Sequence, residues 1–343
     1  MRALFARVRT PMKVNSSRIM SSSTISTKRS WRRALMQVFD SHAIGPAPDY
    51  DPDAPIKHKF HLIDAMPLLI MHAACLTVIW VGWSWIAVGV AVALYLVRMF
   101  AITGFYHRYF SHKSFKTNRF WQFLFAIAGN TAAQRGPLWW AAHHRHHHKH
   151  SDDEADIHSP SQHGLFWAHM GWVCSRHAAP CHLKNVKDFA KFPELVFLDR
   201  FDKIVPLALA FGMFGLGALL EAVAPQLGTN GWQMLVWGFV ISTTVLFHGT
   251  FTINSLTHVP IFGKPRFDTG DTSHNSLLLA LITLGEGWHN NHHFFPASCR
   301  QGFFWWEIDI TWYMLKIMSW IGIVSDIRPP PASVYEQARA ASG

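Results

Sequence analysis

The chain has 343 residues, half of them hydrophobic and only 15% charged, with 16 Trp, 26 Phe, 23 His and a formal net charge of +10. That balance excludes an ordinary water-soluble domain and points to a membrane protein. No nucleic-acid-binding motif accompanies the positive charge, so it reads as a topology signal with attraction to anionic lipid, and no nucleic-acid partner is expected.

Residues 1–39 contain nine Lys or Arg, many Ser and no acid, a composition shared by transit peptides and disordered cytoplasmic tails. Residues 1–60 are expected to be this basic tail and a pre-membrane segment, 61–328 the functional domain, and 329–343 a C-terminal tail. From Ala65 to Val97 there is no charged residue, a run longer than the roughly 20 residues that cross a bilayer of about 30 Å. It divides at "GWSW", Gly82 to Trp85, into crossings over about 65–83 and 85–105. A second apolar territory begins at Val205, carries one acid at Glu221 and is free of charge from Ala222 to Gly263. The "APQLGTN" stretch, Ala224 to Asn230, turns it into crossings over about 205–223 and 232–255.

Both turns lack Lys and Arg, whereas basic residues crowd the N-terminal segment, the positions Arg98 and Arg108, and the stretch from His107 to Lys203. The positive-inside rule then puts the termini and that long segment in the cytoplasm. The fold expected is all-α: an integral membrane protein with four transmembrane helices in two hairpins under a cytoplasmic helical cap. Cys75, Cys174, Cys181 and Cys299 form no CxxC pair and are expected as free thiols.

Histidines cluster beyond each hairpin. His107 and His112 follow the second crossing, "HHRHHHKH" spans His143 to His150, and "GWHNNHH" holds His289, His292 and His293 beyond the fourth crossing. An even number of crossings separates the clusters, so all can meet on one membrane face. His144/His147/His148 and His289/His292/His293 share the spacing H-x2-HH, which presents three imidazoles on one helical face. His107 and His112 are five residues apart, about 140° out of phase on an α-helix, so the second crossing is expected to unwind between them. "NSLTH" adds Asn254 and His258. These nine histidines exceed the needs of one four-coordinate ion and suffice for two metals, and imidazole alone leaves the metal open among iron, copper, zinc and nickel. His146 and His150 lie off the metal-facing side and are expected to meet solvent or outer partners, and His143 is not counted among the ligands. His58, His61, His72 and His248 read as ordinary single histidines.

The order H-x4-H, H-x2-HH, H-x2-HH, with "HRYFSHKSFKTNRFWQFL", "HHRHHHKHSDDEADIHSP", "GLFWAHMGWV", "NSLTH" and "GEGWHNNHHFFP", resembles the membrane-bound fatty acid desaturases, most closely the stearoyl-CoA (Δ9 acyl-CoA) type. "RQGFFWWEIDITWYMLKIMSWIGIV" is similar to bacterial members, and the likeness runs over roughly residues 60–328. It implies a non-haem di-iron centre, O2 as co-substrate, and a cis double bond placed in a saturated acyl chain, with acyl-CoA as the expected form. By resemblance the iron ligands are His107, His112, His144, His147, His148, His258, His289, His292 and His293, with Asn254 acting through water. Gln134 and Trp140 stand where the family grips the acyl chain, and Thr250 and Phe251 where it has a Thr-Trp pair. No haem-binding "HPGG" occurs, so a separate cytochrome b5 or ferredoxin-type donor is implied.

Two departures stand out. Phe251 replaces a Trp, and Ala142-His143 replaces an Arg-Asp pair that contacts CoA in animal enzymes. Arg135, Arg145, Lys149 and Lys184 could meet a phosphate-rich carrier or form a solvated basic face. Acyl-lipid substrates therefore stay open beside acyl-CoA. A membrane di-iron hydroxylase is the rival chemistry, although its alkane-type members begin with H-x3-H. A non-enzymatic metal-binding membrane protein is the rival from another class, and ligands at helix ends rather than mid-membrane speak against it. The bacterial inner membrane, the endoplasmic reticulum or a plastid are the locations this implies.

Overall fold

A computed structural model describes residues 39–43, 51, 53–56 and 60–341. The basic tail up to residue 38 and His58 lie outside the described residues. Among those described, the chain is all-helical, with isolated bridges in place of strands. Helices α1 (Leu62–Val81) and α2 (Trp85–Ser111) form the first hairpin. The cap follows with α3 (Arg119–Asn130), α4 (Pro137–His150) and α5 (Pro193–Arg200). Helices α6 (Ile204–Val223) and α7 (Gly231–His258) make the second hairpin. The cap closes with α8 (Leu277–Ile282), α9 (His289–Phe294), α10 (Ile310–Trp320) and α11 (Ala332–Ala340).

The four spans are not equivalent. Helices α1 and α6 bury 11% of their most apolar stretch, against 39% for α2 and 67% for α7. The outer two therefore face the bilayer, where exposed Leu and Ile cost nothing, and the inner two carry polar groups towards the site. Local chemistry sets the turns. Gly82 adopts φ +66°, a left-handed conformation open to glycine, and Ser84 Oγ then caps α2 by accepting from the Ala87 amide at 3.1 Å. Asn230 caps α7 by accepting from the Gln233 amide at 3.0 Å. From that cap Gln233 Nε2 donates to Val81 O at 2.9 Å and Trp237 Nε1 to Gly82 O at 2.9 Å. Both turns thus meet at one end of the bundle, and the histidine-bearing ends meet at the other.

The packing sharpens three of these readings. Arg98 and Arg108, counted in the topology signal, are each 1% exposed. Arg98 donates to Thr243 Oγ1 at 2.7 Å and Ser242 Oγ at 2.5 Å on α7. Arg108 is held between Glu286 (3.1 Å) and Asp309 (2.9 Å). A buried guanidinium needs such partners because leaving it unpaired costs several kcal/mol. Second, α2 does not unwind. From Ala101 to Ser111 it widens into a π-helix, and the His112 amide donates to His107 O at 3.2 Å. A hydrogen bond spanning five residues returns residue i+5 to nearly the same side, so the two imidazoles face one chamber. Third, the C-terminal segment carries a helix of its own. Val334 and Ala338 of α11 are buried against Phe267 and Phe303.

Helix α4 is fixed at its N-terminus by α5. Asp199 Oδ1 accepts from the Leu138 amide at 2.9 Å and the Trp139 amide at 2.7 Å, supplying negative charge to the free N–H groups of the first turn. Gly136 permits that approach, since a Cβ there would stand 2.3 Å from Asp199 Cα. His42 from the pre-membrane segment holds the other oxygen, Asp199 Oδ2, at 2.7 Å.

Candidate metal centre

Four helices deliver the nine sequence-predicted histidines to one buried chamber: the π-helical end of α2, then α4, the end of α7, and α9. They divide into two groups whose ligand nitrogens lie within 4.8 Å of one another: His107, His112, His144, His148 and His292 in one, His147, His258, His289 and His293 in the other. Each H-x2-HH motif is split. Helix α4 sends its i, i+4 pair, His144 and His148, to the first group and His147 to the second, whereas α9 sends His289 and His293 to the second and His292 to the first.

In the first group Nε2 atoms approach as His107–His292 at 3.0 Å, His112–His144 at 2.8 Å, and His148–His292 at 2.9 Å. In the second, His258–His289 stand at 3.1 Å and His147–His293 at 3.4 Å. Ligands bound about 2 Å from a shared metal ion lie at such separations.

What turns the Nε2 atoms inward is a set of acids behind the rings, which the sequence reading missed. His107 Nδ1 meets Glu286 at 2.6 Å, His147 Nδ1 meets Asp156 at 3.0 Å, His258 Nδ1 meets Asp152 at 3.2 Å, and His293 Nδ1 meets Asp271 at 2.6 Å. A carboxylate at Nδ1 takes the ring's N–H, which leaves the lone pair on Nε2. Lone pairs then face lone pairs across about 3 Å, an arrangement that calls for cations between them. The signal was present in the sequence. Only 21 acids occur in the chain, yet "SDDEAD" abuts α4 and Glu286 stands three residues before His289.

Burial reinforces this donor set. It drives the pKa of His144, His148, His289 and His292 well below the ordinary histidine value, with neighbouring imidazoles acting in the same direction. His112 is lowered by burial and by His107. His293 falls to about 4, because burial outweighs the opposing Asp271. His147 is the exception: burial disfavours its charge, but Asp156 wins and its pKa rises. Neutral imidazoles in a dry chamber are metal donors, not surface bases.

A cavity of about 20 Å³ separates the histidines from α7 and is lined by His107, His144, His147, His289, Trp140, Thr250 and Asn254, among others. That is room for about one water molecule, and an acyl chain would have to part the lining. Asn254, expected to act through a water, borders this space. Trp140 stacks on His144 with centroids 5.1 Å apart, and Gln134 Nε2 donates to Thr250 Oγ1 at 2.8 Å. Phe251, next to Thr250 in the chain, is buried in a cluster with Phe247, Ala65 and Leu68. A wider cavity of about 390 Å³ borders the outer side of His258, beside Asp271 and Thr272.

The remaining histidines are placed otherwise. His143 and His146 are buried, at 6% and 8% exposure, with contacts to Trp139 O (2.9 Å) and Ala155 O (3.2 Å). His72 Nε2 meets His248 Nε2 at 2.9 Å, and His248 Nδ1 meets His169 Nε2 at 3.0 Å, a polar clasp between both hairpins and the cap. His61 contacts Asp64 at 2.8 Å. Of the basic residues open to a carrier, Arg145 is consumed by Phe110 O, Ser111 O and Asp188, and Arg135 by Ala179 O and Asp202. All four cysteines are free thiols.

Comparison with known proteins gives the family. A family model described as fatty acid desaturase matches residues 83–321. An sn-1 stearoyl-lipid 9-desaturase of Anabaena variabilis is 34% identical over 251 residues, 72% of this chain and 86% of that protein. The sn-1 stearoyl-lipid 9-desaturase of Synechocystis sp. is 37% identical over 253 residues, 72% of this chain and 74% of that protein. An acyl-CoA 5-desaturase of Anemone leveillei is 35% identical over 270 residues, 76% of this chain and 77% of that protein. With the family model spanning α2 to α10 and the whole histidine chamber, the chain belongs to the fatty acid desaturase family of oxidoreductases.

Proposed function

We propose that the protein places a cis double bond, at Δ9, in a saturated acyl chain, using O2 and two electrons at a di-iron centre held by the nine histidines. The single observation that carries the reading is the five-and-four division of inward-facing imidazoles. Iron, when bound, supplies the O2 activation needed to break an unactivated C–H bond. The protein's own residues do the rest. Asp152, Asp156, Asp271 and Glu286 hold the Nδ1 protons and keep the rings oriented, and the buried chamber excludes water. Asn254 is suited to hold a water at the cavity. Trp140 and Thr250, the latter fixed by Gln134, are the acyl-chain contacts, with Phe251 as packing behind them.

For the carrier, a lipid-borne acyl chain is the second reading beside acyl-CoA, and one observation favours it. Ala142 and His143, where animal enzymes contact CoA, are buried at 0% and 6% exposure, and Arg145 is already engaged. A separate cytochrome b5 or ferredoxin-type protein is the electron donor in this reading, and the cap faces the cytoplasm because the two turns at the opposite end carry no Lys or Arg. Expression in a host lacking its own desaturase, with gas chromatography of fatty acid methyl esters, tests the reaction. A new monoene is expected, its fragmentation placing the bond. An unchanged profile from iron-loaded protein with a competent donor would sink the proposal, and so would zinc as the only metal after iron-replete expression.

A further inference from the structure

The outer face of α4 carries a second arrangement of donors. His146 and His150 are one helical turn apart, their ring centroids 4.6 Å from each other. Asp53 of the pre-membrane segment completes a set of three whose ligand atoms lie within 4.8 Å. None of these residues belongs to the nine-histidine chamber, which is served by the opposite face of the same helix.

The rings are held from behind as ligands are held. His150 Nδ1 meets Asp153 Oδ2 at 2.8 Å, while its Nε2 meets Asp53 Oδ1 at 2.9 Å. A neutral imidazole has one N–H and can satisfy only one of those carboxylates. With one N–H turned to Asp153, Nε2 is the atom turned to the anionic Asp53 oxygen, a contact that a cation, whether a second proton or a metal ion, relieves. His146 Nε2 meets Ala155 O at 3.2 Å; donation there leaves Nδ1 as its free donor atom. The turn after α4 thus works on both sides: Asp152 and Asp156 back His258 and His147 within, and Asp153 and Ala155 O back His150 and His146 without. Lys149 Nζ, 2.9 Å from Asp53 Oδ1, is the competing cation and is itself 64% exposed, so it can swing away.

The geometry points to a third metal site, formed by Asp53, His146 and His150, that takes a divalent transition-metal ion of the Zn2+ type and leaves a coordination position open to water. Two imidazoles and one carboxylate suit zinc better than calcium or magnesium, which take oxygen ligands. Its occupation ties the pre-membrane segment to α4, the helix that also carries His144, His147 and His148. The inference is independent of which metal fills the chamber.

The test is Zn2+ titration of full-length, metal-loaded protein in detergent, with bound metals counted by mass spectrometry before and after. Wild type is expected to take up one further Zn2+ per chain without releasing the metal it holds. His150→Gln and Asp53→Asn should lose that uptake while retaining the chamber metal, which reports that they fold, and Asp153→Asn should weaken it by about 10–100-fold. His147→Gln should do the reverse, losing chamber metal and keeping the extra Zn2+. No uptake by wild type, uptake matched by release of chamber metal, or equal uptake by wild type and both His150→Gln and Asp53→Asn would overturn the site.

Discussion

The five-histidine and four-histidine pockets draw on the same two motifs in opposite order, yet their surroundings differ. In the four-histidine pocket three rings, His147, His258 and His293, are each backed by an acid. In the five-histidine pocket only His107 is so backed, by Glu286, and that acid also serves the buried Arg108. One pocket compensates for a missing imidazole with carboxylates behind its ligands, and the other relies on ligand number. Negative charge one bond network away stabilises a bound cation by raising ligand basicity, so the two positions should not hold metal alike.

Removing a ligand should separate them most strongly. His289→Gln leaves three imidazoles and is expected to empty its pocket, whereas His148→Gln leaves four and should retain part of its metal; activity should fall below detection in both. Metal counting on purified variants checks this, and equal metal loss would break the comparison. Next come the acids. Asp271→Asn and Asp156→Asn are expected to weaken metal binding in the four-histidine pocket by about 10–100-fold. Glu286→Gln should do something different: with Arg108 left short of a partner, it is expected to cost about 3–5 kcal/mol of stability, read as lowered thermal resistance even without metal.

Acid should act on the metal-free protein with a definite sign. His112, His144, His148, His289 and His292 have lowered pKa values, chiefly through burial. In the unfolded chain they titrate near about 6.5. Their stabilisation is complete above that value and is lost as pH falls towards the folded values, because the unfolded state binds protons first. His293 and His158, lowered mainly by burial to about 4 and about 3, extend the window downwards. His147 runs the other way: Asp156 overcomes burial and raises it, so its contribution fades as pH rises. Melting temperatures are expected to drop between pH 7.5 and pH 5, and Asp156→Asn should steepen the drop. The smallest effect is expected at Phe251→Trp, which restores the family's residue in a buried cluster with Phe247, Ala65 and Leu68. Overpacking there should cost about 1–3 kcal/mol and leave both pockets' metal unchanged.

Much of the architecture was legible from spacing. Charge-free runs with a Gly at the turn give hairpins because the bilayer demands about 20 apolar residues per crossing. Histidines beyond an even number of crossings must share a face, so the candidate cluster follows from counting. The backing acids were legible in part, as acids abutting the histidine motifs in an acid-poor chain. The burial of Phe251 with Phe247, Ala65 and Leu68 was not, since nothing local names the partners of an aromatic.

By itself the sequence determined which residues could gather: local periodicity and membrane thickness act within a helix and need no partner. Only the tertiary structure decided how they divide. His144, His147 and His148 share a helical face, and nothing local assigns His147 to a different pocket; that follows from α9 crossing α4 so that each i, i+4 pair meets the other's i+3 ring. The same holds for His107 and His112, whose α-helical phase would part them. Packing of α2 between α3, α4 and α7 offsets the poorer hydrogen-bond geometry of a π-helix, and a long-range contact overrides a local preference.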